Sequence, residues 1–94
     1  MNINFLNMKT PKEIQLEIAK NIRKRRKELK LTQEEFSKKS GVSFGSIKRF
    51  ENTGEISLFS LIKIAIVLGC EDEFLNLFQP KQYSSIEEII NEQD

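Results

Sequence analysis

Apolar residues recur along this chain at helical rather than strand spacing, and each periodic run opens on a residue suited to cap a helix. Thr10-Pro11-Lys12-Glu13 is a capping box with Pro at the first helical position, so the pattern predicts a helix from Pro11 to about residues 29–31. Ile14, Ile18, Ile22 and Leu29 mark its expected inner face. Thr32 and Glu35 form a second capping box and predict a short helix that carries Phe36 inward and stops at Ser40-Gly41. Gly41 suits the left-handed conformation past a helix end, Val42 packs back on the core, and Ser43 caps a third helix over residues 44–51. Its expected inward positions are Ile47 and Phe50. Residues 52–55 read as a loop, and Ser57 caps a strongly apolar fourth helix over residues 58–68. Leu58, Leu61, Ile62, Ala65 and Leu68 are its expected buried stripe, and Gly69 ends it. A short fifth helix over residues 71–78 presents Phe74, Leu75, Leu77 and Phe78 and closes at Pro80. Ser84 or Ser85 followed by Ile86-Glu87-Glu88-Ile89-Ile90 predicts a marginal sixth.

Composition narrows this to an all-α domain. Of 94 residues, 38% are hydrophobic and 31% charged, with four Gly and two Pro, enough for one core and too few for two. The pattern divides into an N-terminal arm (1–9), a helical domain (10–79) and a C-terminal extension (80–94). With no His and one Cys, the usual zinc sites, a Ser-His-Asp relay and a disulfide framework are not available within one chain, so no enzyme and no cofactor is expected. Cys70, at the end of an apolar run, reads as a small packing residue. The first ten residues lack the basic and apolar regions of a signal peptide, and no apolar run is long enough to span a bilayer, so a cytoplasmic protein without a membrane partner is expected.

The formal net charge of +1 argues against a nucleic-acid binder until its distribution is considered. Residues 9–30 carry nine Lys/Arg and three Glu, residues 31–56 four of each sign, and residues 57–94 two Lys and seven acids. Such a chain can turn a basic face to a polyanion and keep its acidic end away. One of the basic residues belongs elsewhere: Arg26 falls four after Ile22 and three before Leu29, on the apolar stripe of the first helix. Glu51, four after Ile47, interrupts the stripe of the third. Two charges on inward faces need one another, so the periodicity predicts an Arg26–Glu51 ion pair with a structural role.

The informative constellation is two short helices joined by a tight turn on Gly41-Val42, within residues 32–51; the second of such a pair can project into a groove about 12 Å wide. The stretch LTQEEFSKKSGVSFGSIKRFENTGEISLFSLIKIAIVLG, residues 31–69, resembles the phage-repressor and Xre-like helix-turn-helix domains. The Thr-Gln start, the Gly-Val-Ser turn, the Ile-x-x-Phe-Glu ending and the Ser-Leu-x-x-Leu-x-x-Ile-Ala fourth helix all occur in register, and the likeness extends back to about Ile18. Ser37 is a departure, standing where the family usually has Ala. The resemblance implies a compact five-helix fold, here with a short C-terminal helical extension, and the same Arg26–Glu51 pair.

Carried over position by position, the resemblance implies that Gln33, Ser43 and Ser46 lie near DNA phosphates and that Phe44, Gly45 and Arg49 face base edges. Arg49 is the foremost candidate, because a guanidinium pairs bidentately with guanine O6 and N7. Phe44 suits a thymine methyl, and Gly45 offers only a close backbone approach. Lys48, Arg23 and Lys24 are expected beside phosphates. The implied function is a sequence-specific double-stranded DNA-binding transcription regulator, a repressor acting as a homodimer. The alternative is an antitoxin-like subunit that binds a toxin partner and represses its own promoter. Residues 71–94, acidic and carrying Phe74, Phe78, Ile86, Ile89 and Ile90, suit a dimer surface, a partner-binding tail or a core-covering helix.

Overall fold

Among the described residues, four of the five helices begin on a hydroxyl that accepts a hydrogen bond from the backbone three residues on: Thr10 from Glu13, Thr32 from Glu35, Ser43 from Ser46 and Ser57 from Ser60. These bonds satisfy amides that a helix leaves unpaired at its first turn, and so set where each helix starts. The computed structural model describes residues 9–81, which contain α1 (Pro11–Glu28), α2 (Gln33–Ser40), α3 (Phe44–Thr53), α4 (Leu58–Val67) and α5 (Glu71–Leu75), and no strand. Residues 1–8 of the arm and the sixth helix expected over residues 86–90, with Ser84, Ser85, Ile86, Ile89 and Ile90, lie outside the described residues. Among those described, no helix is long and apolar enough to cross a membrane.

The chain packs α1 against α3, α3 against α2, α2 against α4 and α4 against α5. Ala19, Ile22, Phe36, Val42, Ile47, Phe50, Ile64 and Ala65 are buried where α1 to α4 converge, with Leu31, Ile56, Leu61, Val67 and Leu68 partly covered around them. The helix ends are as specific as their starts. Leu31 N–H donates to the Arg26 carbonyl and Lys30 N–H to that of Lys27, a paired closure that places Lys30 at φ +59° without a glycine. Gly41 (φ +76°) and Gly54 (φ +79°) end α2 and α3 in the same left-handed conformation.

Several expected inner faces are displaced. Ile14, Ile18 and Leu29 are 41–53% exposed, and the buried face of α1 is Ala19, Ile22 and Arg26. Two apolar stripes overlap at Ile22, and spacing alone does not say which one meets the core. In α4, Leu58 is 64% exposed and Ile62 half-buried, whereas Ile64 and Ala65 are buried. A helix apolar on every side carries no periodic signal for its inner face. The third helix runs on to Thr53 because its stop is Gly54, and the fourth ends at Val67. The fifth ends at Leu75, leaving Phe78 fully exposed at φ +55°.

Both capping boxes carry a pH dependence. Backbone N–H donation from Thr10 and Thr32 holds the Glu13 and Glu35 carboxyls below the usual carboxylate range. A carboxyl lowered on folding contributes stability in full above its unfolded value, about 4.3, and loses it as pH falls through the lowered value. The double variant Glu13→Gln, Glu35→Gln keeps the acceptors without the titration, so its melting temperature should decline less than that of the wild type between pH 5 and pH 3. Parallel decline would show that the caps do not titrate in this window.

Candidate nucleic-acid interface

The helix-turn-helix is α2, the turn at residues 41–43, and α3, and its angle is set by hydrogen bonds as well as by apolar contact. Ser37 Oγ donates to the Val42 carbonyl at 2.6 Å, and Val42 N–H donates to Ser40 Oγ at 3.1 Å. The serine found where the family usually has alanine thus ties α2 to the turn. A Cβ at Gly41 would stand 3.8 Å from the end of the Lys63 side chain of α4, an ordinary van der Waals distance.

The inner end of α3 is fixed by charge. Arg26 Nε donates to Glu51 Oε2 at 2.8 Å and Nη2 to Oε1 at 2.9 Å, while Nη1 donates to the Leu31 carbonyl at 2.7 Å. The Arg26 and Glu51 side chains are 8% and 2% exposed. Gln33 Nε2 also donates to Glu51 Oε1 at 2.9 Å, and Arg23 Nε stands 3.6 Å from the same oxygen. One carboxylate therefore gathers α1, the start of α2 and the end of α3, and every buried side-chain N and O among the described residues has a partner.

Ile47, Phe50 and Glu51 face inward on α3, so helical spacing puts Gly45, Lys48, Arg49 and Asn52 on the outward side, with Phe44 on its flank. Phe44 is 40% exposed and Lys48 Nζ lies 5.3 Å from its ring centroid, a cation–π contact that keeps charge at the tip of the helix. A Cβ at Gly45 would meet nothing within 4 Å. Ser43 and Ser46 are joined by their hydroxyls at 2.8 Å at the start of α3. Arg49 is 67% exposed along its side chain, and its Nη2 donates to Glu55 Oε1 at 2.6 Å. Gln33 faces Glu51, to which its amide commits one of two hydrogens.

The basic run of residues 23–27 divides by function. Arg26 is buried, Arg23 leans on Glu51, and Arg25 reaches across to Glu73 of α5 at 2.5 and 3.2 Å. The hydrogen bond between them raises the Arg25 pKa and lowers that of Glu73. Lys24 and Lys27 are exposed and make no salt bridge to a described residue. Three residues near Arg49 were not singled out by sequence reasoning: Asn52, read as loop, and Glu55 and Lys12, whose ends are 3.6 Å apart. Gly54 was the available signal, since a glycine stop there extends α3 through Asn52 and turns Glu55 back toward Arg49. Among the described residues, no group of acids and Cys is arranged to hold a metal ion.

A helix-turn-helix family model matches residues 22–75, from the middle of α1 through the last residue of α5 and more than half of the chain. No curated protein and no solved structure matches it. With the family's turn, its Ile-x-x-Phe-Glu helix and its fourth helix all in place, the chain belongs to the phage-repressor and Xre-like helix-turn-helix family of DNA-binding transcription regulators.

Proposed function

We propose that this regulator is a sequence-specific repressor that acts as a homodimer, inserting α3 into the major groove. The observation that carries this reading is the outward side of α3, where Gly45, Lys48 and Arg49 stand free of the core while Glu51 locks the opposite side. In this reading Arg49 reads guanine, Phe44 touches a thymine methyl and Gly45 admits the backbone. Gln33, Ser43, Ser46, Lys48, Arg23 and Lys24 meet phosphates, with help from the first-turn amides of α2. A dimer is supported by apolar side chains left exposed around the Arg25–Glu73 contact of α1 with α5, Ile18, Leu58 and Leu77. Phe59 and Ile66, on another side of α4, are also exposed and favour the antitoxin-like alternative, in which a second face meets a heterologous partner. Pull-down with the full chain separates the two, because only the alternative requires a tightly bound second protein.

The test is a titration against a selected operator and a scrambled duplex over a range of salt. A dimer touching roughly six to ten phosphates should give a log–log salt slope of about −5 to −9. Arg49→Ala should cost about 1–3 kcal/mol on the operator and little on the scrambled duplex, whereas Lys24→Ala should weaken both and shallow the slope by about one unit. Flat salt dependence would remove the phosphate contacts, and equal losses for Arg49→Ala on both duplexes would remove the base-reading role assigned to this residue of α3.

A further inference from the structure

We propose that Glu55 is a positioning residue for Arg49: it holds the guanidinium in a base-reading orientation and, being anionic, weakens binding to DNA of any other sequence. This rests on the reading of α3 as the recognition helix.

The loop that carries Glu55 is braced on several sides. Thr53 Oγ1 donates to the Arg49 carbonyl at 2.6 Å, and Glu55 N–H donates to Thr53 Oγ1 at 3.1 Å, so the turn is built on Arg49's own backbone. Lys12 of α1 donates to the Thr53 carbonyl and lies 3.6 Å from Glu55 Oε2. A Cβ at Gly54 would stand 2.7 Å from Gln15 Cβ, which measures how closely this turn is pressed on α1. Against such a support the Glu55 carboxylate is a fixed acceptor, and Arg49 meets it through Nη2 alone. The other guanidinium N–H groups keep their geometry for guanine O6 and N7.

Two effects follow from one carboxylate. Arg49 enters the complex with fewer orientations to lose, which favours only a sequence that accepts the held orientation. Its neighbour repels phosphates, which penalises every duplex alike. The joint result is discrimination obtained at the expense of general affinity. An exposed ion pair with no such role would alter operator and scrambled DNA by the same factor.

The experiment compares wild type and Glu55→Gln on the selected operator and a scrambled duplex, alone and in an Arg49→Ala background, with melting temperatures measured in parallel. For Glu55→Gln we expect the operator-to-scrambled affinity ratio to fall about fivefold per half-site, the scale of an exposed ion pair, with tighter binding to the scrambled duplex. In the Arg49→Ala background the same change should leave the ratio where it was. A ratio unchanged in Glu55→Gln, an equal fall without Arg49, or weaker binding to both duplexes with a lowered melting temperature would each overturn the proposal. If wild type prefers no selected duplex, the recognition-helix reading fails and this inference fails with it. Preference kept by both wild type and Glu55→Gln sinks only the role of Glu55.

Discussion

Arg26→Ala is expected to destabilise the fold by about 3 kcal/mol, more than alanine at Arg23, Lys24, Arg25 or Lys27, because removing one partner of a buried pair strands the other. Glu51 would keep Gln33 and the more distant Arg23, while losing the two short bonds that neutralise it at 2% exposure. Leu31 would also lose the donor to its carbonyl, at the junction where α1 gives way to α2. For a domain of this size, that cost corresponds to a fall of roughly 12–24 °C in melting temperature. Arg25, paired with Glu73 at an exposed site where water screens the charges, serves as the internal control and should lower stability far less. Replacing both charges together, as Arg26→Met with Glu51→Leu, should recover much of the loss, since the penalty lies in the unpaired charge rather than in the missing bond. Thermal and urea unfolding of the four proteins decide the matter; equal stability of Arg26→Ala and Arg25→Ala would mean that water reaches the pair and screens it.

Gly54→Ala should cost about as much, on the order of 3 kcal/mol, from left-handed backbone strain together with overpacking. The strain arises at φ +79°, and the clash is with Gln15 Cβ, carbonyl carbon and oxygen at 2.7–2.9 Å, two of which are backbone and cannot swing aside. Gly41→Ala separates the two contributions. Its φ of +76° is equivalent, yet its nearest neighbours are the terminal Cε and Nζ of Lys63 at 3.8 Å, so it should bear only the strain, about 1–2 kcal/mol. Equal losses in denaturant titrations of the two variants would show that α1 and the α3 stop are not in tight contact. A larger loss at Gly54 would measure how firmly the recognition helix is seated.

The parts of the fold legible in the sequence were those encoded by local chemistry. Thr10, Thr32, Ser43 and Ser57 mark helix starts because their hydroxyls compete for the first free amides, and Gly41 marks a stop because few other residues accept its φ. Arg26 and Glu51 were conspicuous because a charge on an apolar stripe has few satisfactory environments, and the two meet at 2.8 Å. What spacing does not carry is the choice between overlapping faces. The Ile14–Ile18 and Ala19–Ile22–Arg26 stripes of α1 are equally periodic, and α4 is apolar all round, so only packing with α3 and α2 selects their inner sides. The Arg49–Glu55 pair was hidden for a related reason. Its members are six positions apart, a spacing that no helix brings face to face and that only the turn at Gly54 closes.

The empty space beyond Gly45 bears on how this regulator acquires new targets. Its position lies in the first turn of α3, facing outward, and a Cβ built there meets nothing within 4 Å. Replacement would even strengthen the helix, since glycine is the poorest helix former after proline. In the proposed reading, with α3 in the major groove, the slot is a blank letter in the recognition alphabet: asparagine, glutamine or arginine placed there would be set to meet adenine or guanine without asking the core to change. Gene control can drift from one operator to another through single codon changes at this site, while the buried charges and turns that keep the domain folded are passed on unaltered.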